Sequence, residues 1–487
     1  MIMAEKYQSK HTAPSHGTKH AAKSPERAAQ EVTPAEASLP QESVQKKGGK
    51  VYLTILLLIL GFCLLGAAVY ALVHFVILAP PAEAPTELPT LPTTPSLAAL
   101  PTDPPTEAPT EPAYLAMAEE KLASMTRREK LCQLFIVTPE VLTGVDGVTI
   151  AGDTTKESIE EYPVGGIIYF SDNLETVKQT EEMIAKSQEY AKTPMFIAVD
   201  EEGGDVARVA DKLGTREFEP MYTYKDKGAD TARDNAVIIA DQLSTIGFNL
   251  NFAPVADVWT NPDNTVIGDR AYSDDYAQAA ELVAAAVEGY GSTDVLCTLK
   301  HFPGHGDTAE DSHEQLAVVT ATVDKLKEGE LLPFKSGIEA GADMVMVGHL
   351  IVSDLDDSLP ATLSPKVVPE LLREYLGYDG VVISDSMQMA AITANYDYDK
   401  IVKGLFDADI DIILQPDDID AYLEALEKAL DDGTITEDQV NAKVRKILSL
   451  KYEKGIIPMT SEKPTEAPSA DASAPTETAA LTETNEE

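Results

Sequence analysis

The sequence predicts an α/β protein: a (β/α)8 barrel of the TIM type over residues 114–459, preceded by one transmembrane helix and a proline-rich spacer. Two observations predict the barrel. Eight short apolar runs alternate with helical patterns, as expected for parallel strands joined by helices. This stretch also exceeds the ~250 residues typical of such barrels. A doubly wound open sheet would alternate as well, but the absence of a glycine-rich dinucleotide motif favours the barrel.

The eight runs have the length and apolar content of strands that are buried on both faces. They are LCQLFIV (131–137), VGGIIYF (164–170), PMFIAVD (194–200), FNLNFAPVADV (248–258), VLCTLKHF (295–302), MVMVGHL (344–350), GVVISDS (380–386) and DIDIILQ (409–415). Helical patterns lie between them, for example at 230–247, 275–290 and 324–341.

The segments outside the barrel differ sharply in composition. Residues 1–50 are polar and basic and are predicted to be disordered, and 460–487 are predicted to be a disordered acidic tail. Residues 51–78 form an uncharged apolar run (with His74 neutral), long enough to span a membrane, and residues 79–113 form a Pro/Thr-rich linker with eleven prolines. Lysines directly before the run predict a cytoplasmic amino terminus and an extracellular barrel.

The charge of the chain limits its partners. The formal net charge is −43, from 38 basic and 81 acidic residues. Such a surface repels nucleic acid, so no nucleic-acid partner is expected, and the membrane contact is expected through 51–78 alone. The three cysteines do not suggest a disulfide framework, because Cys132 and Cys297 fall in apolar segments where a thiol packs as a small hydrophobe.

Polar residues end five of the predicted strands. Because active sites of such barrels form at the carboxyl ends of the strands, these side chains are expected to converge. Taken singly, Asp257 has an ordinary structural interpretation as a helix cap, and His349 as a hydrogen-bonded core histidine. The five strand ends carry Asp200, Asp257, Lys300 with His301, His349, and Asp385.

Two of these positions indicate chemistry most directly. Asp385 follows the apolar strand of GVVISDSMQM, where a rigidly held carboxylate suits a nucleophile or a base. The loop KHFPGHGDTAEDSH, from Lys300 to His313, places Asp311 two residues before His313. A carboxylate at that spacing can orient the imidazole, which leaves the other ring nitrogen to exchange protons with a substrate.

A metal site is the competing interpretation of the histidine loop. His301 and His305 have the i, i+4 spacing of zinc ligands on a helix. However, Pro303, Gly304 and Gly306 oppose a helix at this place. No metal and no other cofactor is therefore expected.

Four motifs, in this order, closely resemble glycoside hydrolase family 3, and within it the single-domain β-N-acetylglucosaminidases of the NagZ type. They are DEEGGDVAR (200–208), VIGDRAYSDD (266–275), KHFPGHGDTAEDSH (300–313) and ISDSMQM (383–389). The resemblance covers 114–459. The chain differs from many members of the family at Glu201 and Asp205, where glutamine and a basic residue are common.

The resemblance implies a role for each matched residue. Asp385 would be the nucleophile that forms a glycosyl-enzyme, and His313, paired with Asp311, would be the general acid/base. The sugar hydroxyls and the N-acetyl group would be held by Asp200, Arg208, Arg270, Lys300 and His301. A histidine whose pKa lies near ~6.5 suits both proton donation and later proton removal from water.

The expected activity is hydrolysis of terminal β-linked N-acetylglucosamine from cell-wall (peptidoglycan) fragments or from chitin or glycan oligosaccharides, with retention of configuration. The carbohydrate is the expected partner. Two related activities remain open, a β-N-acetylglucosaminide phosphorylase and a β-glucosidase, although β-glucosidases of the family usually take their acid from a second domain for which the folded region leaves no room. An alternative of another class is an inactive, surface-tethered sugar-binding protein.

Overall fold

The computed structural model describes residues 112–308 and 316–459. The predicted amino-terminal segment, membrane anchor, nearly all of the linker and the acidic tail lie outside these residues, as do Asp311 and His313. In the two described ranges, no helix is both long enough and apolar enough to cross a membrane.

Eight parallel strands form the barrel, in agreement with the sequence. They are β1 Phe135–Val137, β2 Gly166–Ile168, β3 Phe196–Val199, β6 Leu250–Asn251, β7 Leu296–Phe302, β9 Met344–Val347, β11 Val381–Ser384 and β12 Ile413–Leu414. The strands are apolar and fully buried, as in β1, where none of Phe135, Ile136 and Val137 is exposed to solvent. Their order around the sheet is β11-β9-β7-β6-β3-β2-β1-β12, and a parallel bridge between Ile383 and Ile412 brings the two ends together.

Two small sheets lie next to the ends of barrel strands. Strands β4 (Glu201–Gly203) and β5 (Val206–Ala207) form an antiparallel hairpin directly after β3. Its turn requires glycine, because Gly204 has a φ of +58° and a Cβ there would lie 2.9 Å from the Cα of Pro220. Strands β8 (Ala317–Val319) and β10 (Leu350–Val352) pair in parallel.

Helices follow the strands, and many begin at a threonine or aspartate whose side chain accepts a backbone N–H, as in Thr176 and Asp275. The α-helices are Ala113–Ser124, Arg127–Cys132, Pro139–Thr143, Asp153–Glu161, Val177–Tyr190, Arg208–Leu213, Ala229–Ile246, Tyr276–Gly291, Val323–Glu328, Leu331–Glu339, Ala390–Thr393, Tyr398–Asp407, Ile419–Asp432 and Glu437–Glu453. Shorter turns of 3-10 helix span Ser171–Asn173, Met221–Asp226 and Gly268–Arg270, and a π-helix spans Val367–Tyr375.

Three details of the sequence prediction are wrong. The first apolar run, 131–137, begins inside the helix Arg127–Cys132, which a Thr126–Glu129 capping box starts. The fourth run, 248–258, keeps only two residues as strand, since Pro254 lacks the N–H that a ladder needs. The helical pattern at 324–341 is two helices separated at Gly329. Cys132 and Cys297 are buried free thiols, as expected.

Candidate active site

A cavity of about 440 Å³ opens at the carboxyl ends of the barrel strands. Six residues proposed from the sequence contribute to its lining, although they are spread over nearly two hundred positions of the chain. The residues are Asp200, Arg208, Arg270, Lys300, His301 and Asp385. Three of the five strand ends therefore converge here, with Asp200, Lys300 beside His301, and Asp385, whereas Asp257 and His349 are not among the lining residues. Asp311 and His313 fall between the two described ranges.

A row of ion pairs, from Asp200 through Lys300 and Glu202 to Arg270, lies along one side of the cavity. The Nζ atom of Lys300 lies 2.7 Å from Oδ1 of Asp200 and 2.6 Å from Oε1 of Glu202. Arg270 binds both oxygens of Glu202 through its Nε and one terminal nitrogen, each at 2.8 Å. This fork-to-fork pairing fixes the direction of the Arg270 side chain.

The ion pairs outweigh the cost of burial. Burial alone would raise the pKa of Glu202, but the charges of Arg270 and Lys300 hold that pKa far below its usual range. Burial would likewise lower the pKa of Lys300, but Asp200 and Glu202 raise it. Glu202 and Lys300 are therefore both charged at neutral pH.

Arg208 approaches the cavity from another direction. It is the first residue of the helix Arg208–Leu213, which follows the β4–β5 hairpin. Its Nε atom is buried, and it has no hydrogen-bond partner within the part of the chain that the structure describes. A buried guanidinium N–H has a strong need for an acceptor, and a ligand oxygen in the cavity would supply one.

Asp257 holds the start of the histidine loop, and its interpretation as a helix cap is wrong. One carboxylate oxygen accepts from the backbone N–H of His301 at 3.1 Å and lies 2.7 Å from its Nδ1; the other accepts from the N–H of His305 at 2.7 Å. Burial would raise the pKa of Asp257, but His301 and these bonds lower it. The Lys300–His301 peptide is cis, and both side chains line the cavity.

The loop is fixed further along by two asparagines. Asn264 donates to the carbonyl oxygen of His305 at 2.8 Å, and Asn261 donates to that of Thr308 at 3.1 Å. The hydroxyl of Thr308 lies 2.6 Å from Nδ1 of His305. Gly306 allows the close approach, because a Cβ there would lie 1.8 Å from the carbonyl oxygen of Val258. Hydrogen bonds therefore hold the described part of this loop as far as Thr308.

Asp385 lies at the end of β11, where the sequence places it. Its backbone N–H donates to the carbonyl oxygen of Val347 at 2.9 Å, and the N–H of Ser386 donates to its Oδ1 at 2.7 Å. Next to it, Nε2 of His349 lies 3.0 Å from the carbonyl oxygen of Ser386. His349 is fully buried and hydrogen-bonded, in agreement with its interpretation as a core histidine.

Sequence reasoning missed several cavity residues. Glu202 lies within a matched motif, but strand alternation alone does not tell which of two adjacent acids in a hairpin points inward. The sequence gives a weaker indication that Gln415 lines the cavity, because it directly follows the last strand. Its φ of +49° is uncommon for a residue other than glycine. Other lining residues are Phe170, Val206, Val266, His305, Met346, Ser386, Met389 and Leu414.

No group of three or more potential metal-ligating side chains lies together within 112–308 or 316–459. His301 and His305 each use Nδ1 in a hydrogen bond, to Asp257 and Thr308 respectively. Independence of metal stays a prediction for this loop.

The family model for the glycosyl hydrolase family 3 N terminal domain matches residues 126–450. The chain belongs to glycoside hydrolase family 3. Members of this family are enzymes that cleave glycosidic bonds. The match covers all eight barrel strands and every candidate site residue.

Similar proteins include beta-hexosaminidases. The chain is 34% identical to beta-hexosaminidase A of Pseudoalteromonas piscicida, over 61% of this chain and 54% of that protein. It is 34% identical to beta-hexosaminidase LpqI of Mycobacterium tuberculosis, over 68% of this chain and 84% of that protein. The match thus spans about half the length of the Pseudoalteromonas protein.

One solved structure has a similar fold. It is the glycoside hydrolase family 3 beta-N-acetylglucosaminidase from Paenibacillus sp. str. FPU-7, with 35% sequence identity and a TM-score of 0.65. The match covers 72% of this chain and 66% of that chain.

Proposed function

We propose that the protein is an exo-acting β-N-acetylhexosaminidase that removes terminal β-linked N-acetylglucosamine with retention of configuration. The observation that carries this proposal is the cavity in which Asp385 shares the lining with Asp200, Lys300 and Arg208. The similarity to beta-hexosaminidases and to a family 3 beta-N-acetylglucosaminidase supports the choice of sugar.

In the proposed first step, a carboxylate oxygen of Asp385 attacks the anomeric carbon of the sugar. A bond forms between that oxygen and the anomeric carbon, while the bond to the leaving oxygen breaks. His313, oriented by Asp311, gives a proton to the leaving oxygen. These two roles rest on the family resemblance, since both residues lie outside the described part of the chain.

In the second step, His313 takes a proton from water, and the water oxygen replaces Asp385 at the anomeric carbon. Two displacements at one carbon retain its configuration. Asp385 suits the role of nucleophile, because hydrogen bonds with Val347 and Ser386 fix its position at the end of β11.

The sugar is held, in this proposal, by the charged residues around it. Carboxylate and ammonium groups bind vicinal hydroxyls as acceptor and donor, which suits Asp200 and Lys300, only 2.7 Å apart. Arg208 offers further donors, and His301 offers the ring nitrogen that does not face Asp257. Arg270, already engaged by Glu202, supports the wall behind them.

The natural substrate is proposed to be a fragment of peptidoglycan or an oligosaccharide of chitin or glycan type. We also propose that residues 51–78 anchor the protein in the cell membrane, with the barrel outside. Protease added to intact cells should then release an active fragment by cutting within 79–113. Protection of the barrel until the cells are lysed would contradict this location.

The activity itself is tested with the purified full-length protein on aryl β-N-acetylglucosaminide beside aryl β-glucoside. We expect turnover of the first substrate to dominate and to disappear in Asp385→Ala. Product analysis with and without added phosphate separates hydrolysis from phosphorolysis, because only phosphorolysis yields a sugar phosphate. Specific binding of N-acetylglucosamine without any turnover would instead support the sugar-binding protein.

A further inference from the structure

Glu201 is a buried carboxylate for which the proposed reaction has no use. Only 4% of the residue is exposed. Its two oxygens accept the backbone N–H groups of Val209 at 2.7 Å and of Ala210 at 3.1 Å. These are the second and third residues of the helix Arg208–Leu213, which has no cap from the side chain of Ala207. Glu201 therefore caps this helix from the hairpin that precedes it.

The helix that Glu201 caps presents Arg208 to the cavity. Arg208 is its first residue, and the Nε atom of Arg208 is buried without a hydrogen-bond partner in the described residues. The backbone N–H of Arg208 reaches the carbonyl oxygen of Asp200 only at 3.5 Å. The two hydrogen bonds to Glu201 are therefore stronger than the bond from Arg208 to Asp200 at the start of the helix.

Glu201 is itself fixed to the barrel. Its backbone N–H donates to Oδ1 of Asn251 in β6 at 2.9 Å, and its carbonyl oxygen accepts from Nδ2 of Asn251 at 2.8 Å. The same Nδ2 donates to the hydroxyl of Tyr290 at 2.8 Å. A continuous set of hydrogen bonds therefore links a barrel strand, through Glu201, to the backbone that carries Arg208.

We propose that Glu201 is a positioning residue: its carboxylate fixes the start of the helix Arg208–Leu213 and thereby directs the Arg208 guanidinium at the bound sugar. The inference rests on the proposed function, since it takes N-acetylglucosamine to be the ligand that Arg208 meets.

Ionisation of Glu201 should then affect sugar binding. Burial, together with the charge of Asp211, raises the pKa of Glu201 to about 7, although the two N–H donors and Arg208 act in the opposite direction. Tyr290, behind Asn251, faces Glu201 from the helix Tyr276–Gly291, and burial keeps it neutral by raising its pKa. A protonated carboxyl group keeps only one good acceptor oxygen, so it cannot hold both N–H groups well. Affinity for the sugar is therefore expected to fall as the pH drops through about 7.

The test compares the wild-type protein with Glu201→Gln, Glu201→Ala and a matched control, Glu217→Gln. Glu217 is exposed and lies shortly after the same helix, so its replacement removes an equal charge nearby. Calorimetric titration with N-acetylglucosamine, between about pH 6 and pH 8.5, gives Kd for each protein. We expect Glu201→Ala to bind about tenfold more weakly at the higher pH. Glu201→Gln, which introduces the residue common in the family and keeps one acceptor oxygen, should lose less affinity but should lose the dependence near pH 7. In steady-state assays the increase in KM should exceed the fall in kcat.

Circular dichroism shows which variants fold, and Glu201→Gln keeps the test valid if Glu201→Ala does not. An unchanged pH dependence of Kd in Glu201→Gln, or equal Kd for wild type and a folded Glu201→Ala at about pH 8, would overturn the proposal. If the wild type binds no N-acetylglucosamine at all, the proposed function fails instead. The capping role of Glu201 is then still tested by hydrogen exchange. The amides of Val209 and Ala210 should lose protection in Glu201→Gln and keep it in Glu217→Gln.

Discussion

The ammonium of Lys300 lies 2.6 Å from the carboxylate of Glu202, and both side chains are almost entirely buried. Glu202 also binds Arg270, so one carboxylate offsets two cations, one from strand β7 and one from the 3-10 turn Gly268–Arg270. We expect Glu202→Gln to lower the free energy of unfolding by about 3–5 kcal/mol, because it leaves charge uncompensated in the interior. Urea unfolding followed by circular dichroism measures this change.

The pH dependence of the same pair has a definite sign. Because the folded pKa of Glu202 is depressed, its contribution is present above the unfolded pKa of about 4.3 and is lost as the pH falls towards the folded value. Glu202→Gln should remove that acid-sensitive part. The control is Glu119→Gln, which breaks an exposed pair with Arg445 and should cost much less. Equal losses in the two variants would contradict a special role for Glu202.

The sequence predicted the barrel and six of the residues that line its cavity because both depend on local patterns. Buried parallel strands read as apolar runs, and the residue that ends each run lies at the mouth, as Asp200 and Asp385 do. Glu202 and the capping role of Glu201 could not be predicted from alternation alone, since their contacts depend on how the β4–β5 hairpin turns. The role of Asp257 was missed for a related reason: its partners, His301 and His305, come from another strand end.

His349 is expected to support Asp385 through the backbone. A carbonyl oxygen only accepts, so Nε2 of His349 carries the hydrogen that binds Ser386, the residue after Asp385. His349→Phe should lower kcat by roughly 10²-fold with little change in KM, because small displacements of a reacting group are costly. His349→Gln, which can still donate, should lose less. Steady-state kinetics on one aryl substrate distinguishes the variants, and unchanged kcat in His349→Phe would refute this role.

Lys451 is expected to make stability depend on pH. Its ammonium is fully buried and donates to the carbonyl oxygen of Gly165 at 2.8 Å and to Gln133 at 3.1 Å. Burial, with a small effect from Lys121, lowers the pKa of Lys451 to about 7. Between that value and the unfolded pKa of about 10.4, the unfolded state binds more protons, so stability should rise with pH.

Replacement of Lys451 by methionine should flatten this rise, because the side chain that titrates is removed while most of its volume stays. Urea unfolding at intervals between about pH 7 and pH 10 measures the slope. Lys178→Met, at a position with 82% side-chain exposure, is the matched control and should leave the slope unchanged. A wild-type stability that is constant over this range would show that Lys451 keeps an ordinary pKa.

Removal of metal is expected to leave activity intact. The proposed steps need only a carboxylate nucleophile and a histidine that transfers protons. The purified protein should keep its turnover after prolonged dialysis against a chelator. Loss of activity that stoichiometric zinc restores would revive the metal interpretation of the histidine loop.

The division of labour between Asp385 and the Asp311–His313 pair gives the most demanding prediction. If Asp385 is the nucleophile, Asp385→Ala stops the reaction for every substrate. If His313 is the acid, its loss should matter chiefly when the leaving group needs a proton. A dinitrophenolate leaves as a stable anion, whereas a sugar alkoxide does not. General acid/base assistance is typically ~10²–10⁴-fold, so His313→Ala should separate the two substrates by about that factor.

The same histidine should also activate water in the second step, so His313→Ala is expected to release a burst of phenolate before a slow steady state. Asp311→Asn should show a milder form, because the imidazole remains but loses the charge that orients it. Pre-steady-state phenolate release, measured for the three variants on good and poor leaving groups, resolves both steps. Equal losses on both substrates in His313→Ala, without a burst, would exclude His313 as the acid/base and direct the search to His301 and His305, the described histidines of the loop that line the cavity.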